Sequence, residues 1–197
     1  MLVDTPLAID TTDYQALEEG LKAYPGRALI NSVSAEQERL EYFLPLAKKY
    51  GAAILCLPIS PDGVPETAEE RLQTVNKIIN SALAIGLRPV DFVLDPLVLT
   101  IAADSKAALE TIKTLKLYRQ HLGYPTTMGL SNVSFGLPQR NVINSAFCAM
   151  ALTAGLDAPI LNPYDKLMQD AIAAAEALLG HDASGKEYSL HYAPASL

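Results

Sequence analysis

The stretch AILCLPISPDGVPETAEERLQTVNKIINSALAIGLRPVDFVLDPL, residues 53–97, sets the fold. It opens on AILCLPI, a nearly unbroken apolar run of the kind a parallel strand shows when both its faces are covered. Thr67 followed by Glu70 has the spacing of a capping box, and Leu72, Val75, Ile79 and Ala82 then recur at the helical period. Gly86 stands where a C-terminal glycine belongs, and DFVLDPL is a second apolar run. The stretch therefore predicts strand, helix, strand. A doubly wound sheet is usually marked by a glycine-rich phosphate loop after an early strand. GVPETAEER has no such pattern, so a barrel of parallel strands fits better.

Reading outward, PLAID (6–10), RALINS (27–32), TTMGLSN (126–132) and PILNPY (159–164) bring the strand candidates to six. Ser34 with Gln37 has the spacing of another capping box, and Gly51 closes that helix. Leu40, Phe43, Leu44 and Ala47 form one apolar stripe, and Ala108, Ile112 and Leu115 another. Repeated strand–helix units imply right-handed crossovers and a parallel sheet. The expected fold class is α/β, a TIM (β/α)8-type barrel, here incomplete with about six parallel strand–helix units. The expected organisation is one domain over residues 1–180, followed by a loosely ordered tail, HDASGKEYSLHYAPASL, at 181–197.

Composition narrows the class. Half of the 197 residues are hydrophobic and the formal net charge is -7, with no basic run, which argues against a nucleic-acid partner. No stretch is long and apolar enough to span a bilayer, and MLVDTPLAID lacks the basic region and apolar core of a signal peptide, so the expectation is a cytoplasmic protein without a membrane partner. Cys56 and Cys148, set in apolar runs, read as small buried hydrophobes. His121, His181 and His191 have no zinc-site spacing and read as solvated; the expectation is no metal site.

The strand ends hold the chemistry. Asp10 closes PLAID, Asn31 closes RALIN, Asp95 closes FVLD, Asn132 closes GLSN, and Asn162 lies in ILNPY. In a barrel such ends share one mouth, where the catalytic residues of this architecture reside. Each has a plainer reading: Asp10 as a helix start, Asn31 as a turn former, Asp95 as a strand end set by Pro96. The set lacks the Arg, Lys or glycine nest of a phosphate site, and no Ser–His or Cys–His arrangement offers a nucleophile. Carboxylates and carboxamides together suit a neutral heterocycle with adjacent donors and acceptors, and equally a hard cation such as magnesium. In MGLSNVSFGLPQRNVIN, residues 128–144, Asn132 is expected to end a strand and Pro138 to open a helix. Ser131 and Ser134 are expected to shape the loop, and Arg140 points to the mouth or makes a surface salt bridge.

IDTT, LINS, LDPL and GLSNVSFGLPQR, in this order, with NVINSAFCAMALTAGLDAPILNPYD after them, resemble the pterin-binding domain of cobalamin-dependent methionine synthase and the methyltetrahydrofolate:corrinoid methyltransferases. The resemblance extends to about residue 180, and LSNVSFGLP is its most specific part. It implies a (β/α)8 barrel that moves the N5 methyl group of methyltetrahydrofolate to the cobalt of a corrinoid (cobalamin) carried by a partner protein or domain. By the same resemblance Asn132 is the catalytic amide near N5, and Asp10, Asn31, Asp95, Asn132 and Arg140 bind the pterin.

The resemblance also implies that the first two strand–helix units of the family are missing. A fragment of a longer chain, a truncated gene product, and a shortened domain completed as a homodimer would each account for this, the first two with weak activity or none. Exposed flanks would leave apolar side chains in water, at about 1.5–3 kcal/mol for each large aliphatic. The alternatives are a non-catalytic folate-binding or corrinoid-protein-docking module, a dihydropteroate-synthase-like transferase, whose Lys and Ser-x-Arg set is not found here, and a magnesium-dependent lyase.

Overall fold

The computed structural model describes residues 5–193. Positions 1–4 and 194–197, the outermost parts of the expected 1–180 and 181–197 segments, lie outside the described residues. All six expected strands form, each followed by a helix: β1 (Ala8–Asp10), α1 (Tyr14–Ala23), β2 (Leu29–Val33), α2 (Gln37–Tyr50), β3 (Ala53–Cys56), α3 (Ala68–Ala84), β4 (Phe92–Leu94), α4 (Ala107–His121), β5 (Thr127–Gly129), α5 (Arg140–Thr153), β6 (Ala158–Ile160) and α6 (Lys166–Leu178). A short α7 (Lys186–His191) follows. β1 to β4 form one parallel sheet in chain order, and β5 pairs in parallel with β6. Parallel strands in sequence order, joined through helices, make an α/β fold of TIM type that is incomplete, with six units among the described residues where a full barrel has eight.

The chain divides into two compact units. One runs to Leu97 and takes in Leu117–Thr126; the other comprises Val98–Lys116 and the chain from Thr127 onward. The first is built on Ile30, Ile54 and Leu94 from the sheet, covered by Leu17, Phe43, Leu44, Val75 and Ile78 from the helices, all fully buried. The second is built on Met128 and Leu130 with Leu115, Phe147, Cys148 and Ala151. The stripes expected on α2, α3 and α4 are thus the inner faces of those helices. β1 is an edge of its sheet, and Leu7 beside it stays 43% exposed, lining an apolar cleft of about 540 Å³ with Ile9, Gly20 and Tyr24.

Local signals behaved unevenly. Thr67 and Glu70 form the expected capping box, with Thr67 Oγ1 accepting from Glu70 N and Glu70 Oε2 accepting from Thr67 N at 3.1 Å. Gly51 caps α2 at φ +66°, a left-handed conformation that costs glycine little. The box expected at Ser34 and Gln37 does not form. The buried Ser34 hydroxyl donates instead to Glu36 Oε2 at 2.7 Å, and Glu36 occupies the N-cap without a side-chain bond to the backbone of the helix start.

The strand expected to end at Asn132 stops at Gly129, and a 3₁₀ turn, Leu130–Ser134, carries the asparagine. Pro138 does not open the following helix. α5 begins at Arg140, after Gln139 has turned the chain at φ +52°. The tail, expected to be loose, forms α7 because Asp182 accepts from Glu187 N and Tyr188 N at 3.0 and 2.9 Å. His191, expected to be solvated, is half-buried with Nε2 2.7 Å from Asp170 Oδ1. No helix among the described residues is long and apolar enough to cross a membrane.

Candidate functional site

In the first unit the β1–β2 ladder sets Asp10 opposite Asn31. Both line a cleft of about 170 Å³ together with Ser34, Glu36 and Arg39. That is smaller than the roughly 300–1,000 Å³ usual for sites that engulf a drug-sized ligand, so this cleft has room for no more than part of one. The plainer reading of Asp10 does not hold, because Asp13 is the residue that caps α1, accepting from Gln15 N and Ala16 N at 2.8 and 3.0 Å. Asn31 neither closes its strand, as expected, nor forms a turn; it sits inside β2, which continues to Val33. Among the described residues neither the Asp10 nor the Asn31 side chain has a hydrogen-bond partner in the protein.

Asn162 contrasts with them. It lies two residues past β6, and its Oδ1 accepts from Tyr164 N at 3.0 Å, a local turn that uses the amide for structure.

Asp95, one residue past β4, is 9% exposed and is not among the residues lining that cleft. Its Oδ1 accepts from Leu97 N at 2.8 Å, and Tyr118 Oη donates to its backbone carbonyl at 3.4 Å. Leu97 stands at φ +65°, a left-handed conformation that costs a residue with a Cβ on the order of 1–3 kcal/mol. Arg71 braces this turn, donating from Nη1 to the carbonyls of Pro96 and Leu97.

Burial pushes the Asp95 carboxyl up to about 7, against the pull of the Leu97 N–H and the Arg71 cation. An unfolded Asp releases its proton near pH 3.9, so between about 4 and 7 the native state holds a proton that the unfolded chain has lost. The stability tied to this group is complete below about pH 4 and is lost as pH rises through about 7. Asp95→Asn should flatten that segment of the stability profile, as urea unfolding at pH 5 and pH 8 would measure. A variant with the wild-type difference between the two pH values would contradict it.

In the second unit, Asn132 and Arg140 belong to one turn. Arg140 donates from Nε to Ser134 Oγ at 3.0 Å and from Nη2 to the Ser131 carbonyl at 2.7 Å. Among the described residues it forms no salt bridge; it ties 131 to 134, with its guanidinium 5.8 Å from the Phe135 ring centre. Ser134 Oγ donates to the buried Asn144 Oδ1 at 2.7 Å, Ile101 N donates to the Val133 carbonyl, and Thr100 Oγ1 donates to the Phe135 carbonyl at 2.6 Å. The backbone around Asn132 is therefore held from several sides.

The Asn132 side chain itself is exposed and has no hydrogen-bond partner in the protein among the described residues. Its Nδ2 leans over Gly129, where an added Cβ would sit 3.1 Å away. Sequence reasoning missed Arg39 and Arg71. Arg39 lines the Asp10 cleft, with Nη1 donating to the Thr12 carbonyl at 2.7 Å and the guanidinium 4.6 Å from the Phe43 ring centre. Nothing in ERLEYF or EERLQ distinguishes these two arginines from solvated helix charges. Among the described residues no group of three or more His, Cys, Asp and Glu side chains is placed to hold a metal ion.

Donor–acceptor side chains left unpaired on fixed backbone suit recognition of a planar heterocycle. The model of the pterin binding enzyme family matches residues 1–162. The chain is 30% identical over 192 residues to methylcorrinoid:tetrahydrofolate methyltransferase of Eubacterium limosum, covering 95% of this chain and 70% of that protein. It is 33% identical over 170 residues to methionine synthase of Mycobacterium tuberculosis, covering 80% of this chain but 14% of the synthase. The M. leprae methionine synthase is 34% identical over 188 residues, with 86% and 16% covered. Among solved structures, 7,8-dihydropteroate synthase from Vibrio fischeri ES114 superposes with a TM-score of 0.70 over 92% of this chain and 70% of that one, at 21% identity, a likeness of fold. The family model and the relatives together give the identity of the family: the chain belongs to the pterin-binding enzymes, with the corrinoid–folate methyltransferases and the pterin-binding domain of methionine synthase as its kin.

Proposed function

We propose that the chain binds methyltetrahydrofolate and exchanges its N5 methyl group with the cobalt of a corrinoid carried by a partner protein or domain. The observation that carries this reading is the Asn132 carboxamide, unpaired on a turn whose backbone is fixed by its neighbours. N5 of the methylated folate is a tertiary amine and a poor leaving group. As the N5–carbon bond breaks, the electron pair stays on nitrogen, which must gain a proton or a strengthening hydrogen bond. An amide that accepts and donates can follow N5 from acceptor to donor, and by microscopic reversibility it serves the reverse transfer as well.

The Asp10 carboxylate accepts paired N–H groups of the pterin, with Asn31 beside it. Asp95 holds a further ring edge, and Arg140 keeps the asparagine turn in place. The corrinoid supplies the cobalt nucleophile; this chain supplies binding and orientation.

Isothermal titration with methyltetrahydrofolate tests the binding. The wild-type protein should give a measurable heat, and Asp10→Ala should weaken affinity by about 10- to 100-fold, the equivalent of about 1.5–3 kcal/mol for hydrogen bonds to a charged group. A folded wild-type protein that gives no heat defeats the reading. The chain spans 70% of the E. limosum enzyme and a small part of the methionine synthases, which favours one second reading, a folate-binding or corrinoid-protein-docking module without turnover. Binding that persists with no methyl transfer would select it.

A further inference from the structure

We propose that Arg71 is a positioning residue for Asp95, locking the Asp95–Leu97 turn so that one carboxylate oxygen is spent on the protein and the other is kept for the ligand. The inference rests on the reading of Asp95 as a pterin-binding residue. Arg71 is 1% exposed and is among the largest fully buried side chains of the chain. Its guanidinium spans two loops, Nε donating to the Pro65 carbonyl at 3.2 Å before α3, and Nη1 donating to the Pro96 and Leu97 carbonyls at 3.2 and 3.0 Å after β4.

Helix stability does not explain this placement. Arg71 lies in the first turns of α3, where the helix dipole disfavours a cation, and its charged group is drawn out of water. What the position does achieve is control of the residues after β4. The carbonyl of Leu97 is held by Arg71 while its N–H is held by Asp95 Oδ1, so the left-handed turn and the carboxylate orientation fix each other. Asp95 Oδ2 has no hydrogen-bond partner in the protein among the described residues. The groups that bear electrostatically on Asp95 are Arg71, Tyr118 and, beyond the tyrosine, Cys56, and Arg71 is the cation among them.

The test compares Arg71→Lys, Arg71→Met and Asp95→Asn, alone and combined, each checked for folding by circular dichroism and urea titration. Carboxyl carbon NMR of protein labelled with 13C-aspartate, with Asp95 assigned by its loss in Asp95→Asn, reads the midpoint without any ligand. Arg71→Met should raise it, and Arg71→Lys, which keeps the charge but not the planar fork, should raise it less. Affinity for methyltetrahydrofolate should fall about tenfold or more in Arg71→Met, and adding the Arg71 change to Asp95→Asn should cost far less, because coupled residues do not add.

A structural brace alone would predict an unmoved midpoint and fully additive losses, and either result overturns the proposal. If Arg71→Met fails to fold, Arg71→Lys carries the same comparison. Wild-type protein that binds no methyltetrahydrofolate would remove the proposed function, whereas the Asp95 midpoint would still decide whether Arg71 governs the carboxylate.

Discussion

On the proposed function, Asn132→Ala should leave the protein folded and lower methyl transfer between methyltetrahydrofolate and free cob(I)alamin by about 10²- to 10³-fold, the usual cost of deleting a hydrogen-bond group aimed at developing charge. The size follows from timing. Losing a contact equally strong in the ground and transition states would raise KM and leave kcat alone; the proposed bond from the amide to N5 would strengthen as nitrogen gains its proton, so its loss should fall on kcat. Stability should be nearly untouched, because the side chain is exposed and makes no bond inside the protein among the described residues. The bracing bonds from Arg140, Ser134, Thr100 and Ile101 do not involve the Asn132 side chain and survive the substitution. Stopped-flow absorbance of the cobalamin separates the terms: a variant with unchanged kcat and a raised KM would leave Asn132 a binding residue and end its catalytic assignment.

Phe92→Ala is the substitution expected to cost most in stability, about 3–5 kcal/mol against a typical total of about 5–15. The ring is 1% exposed in β4 and meets Tyr124 edge-on, with centroids 5.4 Å apart. Its removal opens a cavity that β4 cannot close without breaking its pairing with β3, where Phe92 is opposite Ile54. Urea unfolding would show the midpoint fall with the slope unchanged. Because Asp95 follows the same strand, ligand affinity should drop with stability. A loss under 1 kcal/mol would mean that the core around β4 is less tightly packed than its burial indicates.

The six strands were legible because buried parallel strands leave a signature with few imitators, short apolar runs between helices of opposite periodicity. Thr67 and Glu70 were legible because a capping box needs only local chain geometry. Ser34 misled for a tertiary reason: its hydroxyl is buried where Glu36 can take it, and three-residue spacing carries no record of burial. Asn132 misled on its element, since the change from strand to 3₁₀ turn depends on bonds from Thr100, Ile101 and Arg140, residues distant or later in the chain. Asp10 stands at its strand end as expected, Asn31 lies inside β2, and ladder register brings the two to one cleft. The arginines were invisible because depth below the surface, the property that separates Arg71 from the other charges of α3, belongs to the packed molecule.

The two thiols have a practical consequence. Cys56 and Cys148 are free, buried, and pushed by burial above the ordinary cysteine range, Cys148 to about 11, so little thiolate forms near neutral pH while the native packing lasts. One belongs to the unit that runs to Leu97 and the other to the unit resumed at Thr127. Alkylation kinetics at each cysteine, resolved by mass spectrometry, would therefore clock the opening of each half on its own. The molecule carries its own pair of chemical stopwatches, and identical readings would mean that both halves melt as one.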